Sequence, residues 1–462
     1  MPSTTRHRPA NRASPLEAAD PATARWYREL AAGFHREAAA GVQKENVKSV
    51  RSSMHSPRTA ERNAVRSRAW IVLLGCGIVA AMHVWKLPGA LTFIRQDLGM
   101  SLVQSGVLLG IVQVGALLLG LSGSLVSEKV GLRTTIVIGL TMLALGSLVG
   151  ALSQETWQLM VTRAFEGIGF LLVTLAAPPL IRVTTEQGRV SQAMGCWSAF
   201  QGIAVFLAVL VSTVLLRGLE WVNWQMWWLL MGVVSALMVV IVIRTVPVDH
   251  GRAVDFRSTF RAIGTTLQTS MPWVISVIFA CYTLQWGAII GFLPDIVGEQ
   301  DGFTVGIATA VVGGANGAGN VISGQLLKRG FSPRLLVMIG MVSMIITTVL
   351  IFAPDWGSVV GGEWIQLTIA VAFSGIAALI PSTITRIAVD VAPPGGSVSA
   401  VMGLMIQVYN AANFVGPIVL TAIATAVGGW HLSWLMTSAA ALLGAVLGAV
   451  FLSTRRLRMS FA

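Results

Sequence analysis

Hydrophobic and polar positions alternate on a long scale in this chain: extended apolar stretches are separated by short polar loops. A helix needs about 20 apolar residues to cross the hydrocarbon core of a bilayer. Stretches suited to such helices lie at about 70–92, 102–126, 134–153, 157–181, 193–216, 224–246, 271–293, 305–327, 334–353, 363–385, 398–427 and 431–453. The alternating segments of about ten residues that mark a membrane β-barrel are absent. The pattern therefore predicts an all-α membrane protein with twelve transmembrane helices, embedded in a lipid bilayer.

Composition agrees: 54% of the 462 residues are hydrophobic and 11% are charged, against about 25% charged in an average soluble domain. That excludes a soluble globular enzyme and a disordered chain. The net charge of +12 raises nucleic acid as a partner, but its distribution argues for topology instead. With the N-terminus placed in the cytoplasm, the inner loops hold Lys129, Arg133, Arg182, Arg189, Arg244, Arg252, Arg257, Arg261, Lys328, Arg329, Arg334 and Arg386, and the C-terminus holds Arg455, Arg456 and Arg458. The outer loops hold only Arg95 and Arg217. This positive-inside bias predicts a multi-pass protein of the cell inner (plasma) membrane with both termini cytoplasmic and no nucleic-acid partner. Trp157, Trp221, Trp224, Trp227, Trp228, Trp356, Trp364, Trp430 and Trp434 fall where outer helix ends are expected to meet the lipid interface. Cys76, Cys196 and Cys281 lie in apolar runs with no disulfide or metal spacing.

The organisation predicted is a disordered basic cytoplasmic tail (1–68), a six-helix bundle (69–246), a cytoplasmic linker (247–270), and a second six-helix bundle with a short basic tail (271–462). In the tail, Trp26, Leu30 and Phe34 form a weak apolar stripe, and Met54 is an alternative start. In the linker, Phe256, Phe260, Ile263 and Leu267 fall on one helical face, which predicts a helix lying on the inner membrane surface. The two bundles look related. Phe165–Gly169 (FEGIG) matches Phe373–Ala377 (FSGIA) 208 positions later, and Ser191–Gly195 (SQAMG) matches Ser399–Gly403 (SAVMG) at the same offset. Arg182 with Glu186 parallels Arg386 with Asp390 at a slightly shorter offset. Six helices repeated in parallel is a design of many secondary transporters.

Two motifs carry a family resemblance. The loop after the second run, Ser124–Arg133 (SLVSEKVGLR), resembles the signature loop of the major facilitator superfamily, Gly-x-Leu-x-Asp-Arg-x-Gly-x-Arg/Lys. Glu128 stands at its acidic position, Lys129 and Arg133 at its basic ones and Gly131 at the turn, with Ser124 replacing the leading Gly. The resemblance implies that these residues form a conformational latch. The second-half counterpart, Leu327–Gly330 (LKRG), lacks the acid. The fourth run carries Arg163–Gly169 (RAFEGIG), similar to the family's Arg-x-x-x-Gly-x-Gly motif in that span. The family fold implied is two pseudo-symmetric six-helix bundles about a central cavity lined by spans one, four, seven and ten.

Charges inside an apolar helix are costly and point to function. Arg163 and Glu166 are three apart, share a helical face and are expected to pair. His83 and Lys86 in the first run are also three apart, ahead of Pro88. Rising at about 1.5 Å per residue, the two runs bring Lys86 and Arg163 to comparable depth. Two cations and one acid would leave a net positive site. Tyr282 and Gln285 of the seventh run and Asn410 of the eleventh are the further substrate-binding or coupling candidates. Pro178, Pro179 and Pro381 are placed to kink the fourth and tenth helices.

There is no phosphate-binding loop and no catalytic or metal-ligand cluster, so the chain is expected not to be an enzyme and to need no cofactor, with a proton or solute gradient as driving force. The family resemblance implies alternating access, and within it the charges suggest a small organic anion as substrate, in the manner of cyanate or nitroimidazole porters. The alternatives are a proton-coupled drug or metabolite efflux pump, against which the absence of proline between Gly195 and Val211 speaks, and a transporter-like sensor that binds without moving solute. The protein is expected to be monomeric.

Overall fold

The computed structural model describes residues 57–219, 221–249, 256–298 and 302–452. Val65–Ala462 forms one compact unit; of Met1–Ala64, residues 57–64 are described, and these are helical. The stripe at Trp26, Leu30 and Phe34 lies outside the described residues. No strand occurs among the described residues.

Twelve spans follow one another. They are Pro57–Trp85, Leu102–Gly110 joined through the 3-10 turn Ile111–Gln113 to Val114–Val130, Leu132–Gly150, Thr156–Thr184, Gln187–Ser198 with Phe200–Gly218, and Trp224–Thr245. After the connecting helix Phe256–Leu267 come Ser270–Val297, Gly302–Lys328, Pro333–Phe352, Gly362–Ala377 with Leu379–Asp390, Val398–Val427 and Ser433–Phe451. Eleven are long and apolar enough to cross a membrane, and the first contributes a shorter apolar helix, Ala69–Trp85. With short loops throughout, successive spans run in opposite directions. The odd-numbered loops therefore lie at one end and the even-numbered loops at the other.

The first span departs from the expected run of 70–92. Its helix begins by Pro57, inside the stretch expected to be a disordered tail, and stops at Trp85. Pro88 explains the stop, because it donates no N–H and disfavours helix in the residue before it. After an irregular stretch of five residues the chain resumes as the short helix Leu91–Asp97. Lys86 thus sits on the break rather than on the helix. Lys86, Leu87 and Ala90 are completely buried, as irregular backbone at membrane depth requires. Pro381 acts similarly in span ten, which breaks at Ala378, within reach of the missing N–H bond to Ala377. The helix of span four runs through Pro178 and Pro179.

The first six and last six spans meet chiefly along two pairs, two with eleven and five with eight. Here glycines bring backbones together: a Cβ on Gly106 would strike Pro417, one on Gly110 Phe414, and one on Gly202 the main chain of Gly317. At the odd-loop end Arg95 and Asp295 pair at 2.8 Å. Also at that end, Asp97 accepts hydrogen bonds from Trp224 Nε1 (2.8 Å) and Gln225 Nε2 (3.0 Å). In the connecting helix Phe260 is exposed.

Candidate functional site

A closed polar cluster lies inside the first six spans. Span one brings His83 and Lys86, span four Arg163 and Glu166, span three Ser147 and span six Ser235 and Trp228. The four titratable side chains are 0% exposed. Glu166 is the hub. Its Oε1 accepts from Lys86 Nζ at 2.6 Å and lies 3.3 Å from His83 Nδ1, and its Oε2 accepts from Arg163 Nη1 at 2.8 Å. Lys86 Nζ also donates to Ser147 Oγ (2.8 Å) and stands 4.2 Å over the Trp228 ring, a cation–π contact strengthened by the absence of water. Ser147 Oγ donates a hydrogen bond to the Trp228 carbonyl at 2.8 Å, and His83 Nε2 lies 2.7 Å from Ser235 Oγ.

The same cluster closes the broken end of span one. A helix that stops leaves its last carbonyls without partners, and in a bilayer each such group costs several kcal/mol. Arg163 Nη1 donates to the His83 carbonyl at 2.5 Å and Nη2 to the Val84 carbonyl at 3.3 Å. Trp227 Nε1 donates to the Lys86 carbonyl at 3.0 Å. The guanidinium is also a positive charge at the negative end of the helix dipole. Arg163 is therefore at once an ion-pair partner and a helix cap. Arg163 Nε and Trp228 Nε1 find no partner among the described residues.

Sequence reasoning brought His83, Lys86, Arg163 and Glu166 together, and the structure places them in contact. It misses Ser147, Ser235 and Trp228: single hydroxyls in apolar runs give no signal, and the tryptophans fit the pattern of a lipid-interface belt. Trp224, Trp227 and Trp228 are instead buried at 2%, 1% and 0% exposure, which corrects that assignment. Tyr282, Gln285 and Asn410 lie outside the cluster. Tyr282 Oη accepts from Asn316 Nδ2 at 2.9 Å. Gln285 and Asn410 donate to carbonyls on their own helices, those of Cys281 (2.9 Å) and Ile406 (2.7 Å), and their buried carbonyl oxygens find no partner among the described residues.

Of the latch candidates, Gly131 adopts φ +97°, a conformation glycine alone enters freely. Lys129 is exposed, and the side chain of Glu128 lies outside the described residues. The acid that engages this loop is one the sequence did not single out. Asp249, just after span six, accepts from the main-chain N–H of Leu132 at 2.5 Å and of Arg133 at 2.9 Å. It caps the start of span three in the manner of an N-cap side chain supplied from 117 positions away. Arg133 Nη2 donates back to the Ile243 carbonyl of span six at 2.6 Å. Among the described residues no group of three or more His, Cys, Asp or Glu is placed to hold a metal ion.

The model of the Major Facilitator Superfamily matches this chain twice, over residues 73–279 and 275–461. The chain belongs to the Major Facilitator Superfamily. It is a membrane transporter of small solutes with the twelve-helix fold of that family. The inner membrane transport protein YajR of Escherichia coli is 24% identical over 379 residues, covering 79% of this chain and 78% of that protein. The cyanate transport protein CynX of Escherichia coli is 24% identical over 230 residues, covering 48% of this chain and 57% of that protein. Among solved structures, a bacterial homologue of the human lysosomal transporter Spinster, in an inward-facing and occupied conformation, superposes with a TM-score of 0.65 at 15% identity, over 86% of this chain and 97% of that one.

Proposed function

We propose that this superfamily member is a secondary transporter that moves a small organic anion across the inner membrane by alternating access. The observation that carries the reading is the charge of the buried cluster: two cations, Lys86 and Arg163, face one carboxylate, Glu166, all without solvent exposure. One formal positive charge is left in a low-dielectric interior, where it attracts an anion far more strongly than it would in water. The likeness to the cyanate transport protein CynX points the same way. Lys86 is the residue nearest the break in span one, and discontinuous helices supply solute and coupling sites in many secondary transporters.

The moving bodies in this reading are residues 69–246 and 271–462, joined by 247–270, with the N- and C-termini in the cytoplasm. The double match of the family model supports two equivalent halves. The Arg95–Asp295 pair at the odd-loop end is the closure that opens when the halves rock. Tyr282, Gln285 and Asn410 are the second half's contributions to solute binding. Gly131, Arg133 and Asp249 form the latch at the opposite end, with Glu128 and Lys129 in the same loop.

The test is counterflow in proteoliposomes. Vesicles preloaded with unlabelled cyanate or a small carboxylate are expected to accumulate the labelled anion, and Lys86→Gln is expected to abolish the effect. Counterflow of neutral or cationic solutes without any of anions would refute the anion reading. Binding without counterflow would make the protein a sensor.

A further inference from the structure

Five aromatic rings form a continuous wall where the two sets of six spans meet. Phe279, Tyr282 and Trp286 occupy one face of span seven at spacings of three and four. The Phe279 and Tyr282 ring centroids are 5.9 Å apart at 19°, and those of Tyr282 and Trp286 6.1 Å apart at 18°. Tyr409 of span eleven tilts against Phe279 at 4.8 Å. Trp85, the last helical residue of span one, meets Trp286 edge-on at 5.0 Å. The rings are held by their polar edges: Trp85 Nε1 donates to Gln201 Oε1 (3.1 Å), Trp286 Nε1 to Ser374 Oγ (3.0 Å), and Asn316 Nδ2 to Tyr282 Oη (2.9 Å).

Exposure along the wall is graded. Tyr282, Trp286 and Trp85 are 3%, 6% and 7% exposed, whereas Phe279 and Tyr409 are only partly buried. Span seven is the most enclosed of the eleven long spans, and this face looks towards spans one, eight, ten and eleven. The less buried end of the wall, at Phe279 and Tyr409, lies on the even-loop side of the Trp85–Trp286 contact. Rigid, pre-oriented rings at a partly open end present π faces for a ligand at low entropic cost.

We infer that this wall is the stacking surface for the transported solute, and that the solute is accordingly planar and conjugated, an aromatic or heteroaromatic carboxylate rather than an aliphatic one. The inference rests on the anion-transporter reading for the charge and on the wall alone for the ring. Trp85 and Lys86, adjacent in the chain, divide the two tasks at the break in span one: Trp85 turns to the wall and Lys86 to the charged cluster.

Four ligands separate the two tasks: benzoate, benzamide, cyclohexanecarboxylate and cyclohexanecarboxamide, titrated calorimetrically into the purified full-length protein. Benzoate is expected to bind about five- to tenfold tighter than cyclohexanecarboxylate, the worth of an aromatic contact. Phe279→Leu is expected to shrink that preference to less than about twofold by weakening benzoate more than cyclohexanecarboxylate, whereas a general folding defect would weaken both acids in parallel. Tyr409→Leu serves the same purpose at the neighbouring ring. Equal affinity for the aromatic and saturated acids overturns the stacking inference and leaves the anion reading standing. Preference for benzamide over both benzoate and cyclohexanecarboxamide overturns the anion reading and keeps the wall. Binding of none of the four overturns both.

Discussion

Arg163 in span four donates through Nη1 to the main-chain carbonyl of His83 in span one, at 2.5 Å, while the same atom holds Glu166 Oε2 at 2.8 Å. A side chain that reads as a charge in the sequence is thus also the cap of a helix broken inside the membrane. Arg163→Ala removes both functions and leaves buried carbonyls and a weakened ion pair, so it is expected to cost about 3–5 kcal/mol. Arg163→Lys keeps the charge but not the planar fork that spans two carbonyls, and is expected to restore only part of the loss. Thermal unfolding of the detergent-solubilised variants measures it. Equal midpoints for wild type and Arg163→Ala would show that the cap contributes nothing.

Glu166 is the acid that the cluster's cations share, which fixes the order of damage. Glu166→Gln strands Lys86 and Arg163 as buried unpaired cations, whereas Glu166→Gln with Lys86→Met leaves one. The double variant is therefore expected to be more stable than the single Glu166→Gln variant, with a coupling of about 1–3 kcal/mol in a double-mutant cycle. Additive losses would show that the 2.6 Å contact between them has no net worth.

Asp249 offers a milder test at the other end. Its carboxylate takes two backbone N–H groups at the start of span three, and loss of such a cap costs about 0.5–2 kcal/mol. Asp249→Ala is expected to lower the unfolding midpoint accordingly. Under the proposed latch role, Asp249→Ala is also expected to raise the labelling rate of a cysteine placed at Thr134. Asp249→Asn, which keeps an acceptor, is expected to fall between Asp249→Ala and wild type. Unchanged labelling in Asp249→Ala would remove the latch role and leave the cap.

How much of this was legible in the sequence depended on the range of the interaction responsible. Span eleven is legible close to its observed bounds, Val398–Val427, because local signals mark both ends: Ser397 caps the start and Gly428 turns left-handed at the end. The pairing of Arg163 with Glu166 is equally local. The break in span one is half legible: Pro88 marks it, but hydropathy alone runs the helix on to residue 92. Asp249 was invisible because its partners lie more than a hundred positions away and its own surroundings are an ordinary loop. Trp85 and Trp286 stand at similar places in two related halves, so repeat alignment of spans one and seven could have paired them. That Trp227 and Trp228 point inward could not be read from hydropathy, which sees an interfacial tryptophan and a buried one alike.

Gly202 sets the contact between spans five and eight, which belong to the two different sets of six. A Cβ there would collide with the main chain of Gly317, which has no side chain to rotate away. Gly202→Val must therefore push the two backbones apart, where Gly202→Ala forces a smaller shift, and small residues are what allow transmembrane helices to approach this closely. Because the neighbouring helix Gln187–Ser198 lies on the even-loop side of this crossing, the wedge is expected to disfavour closure at that end. Transport should fall at least tenfold in Gly202→Val with membrane insertion intact, and cysteines on the even-loop side of span five should label faster, while the Arg95–Asp295 end keeps its wild-type rate. Faster labelling at both ends would mean that the wedge merely loosens the fold.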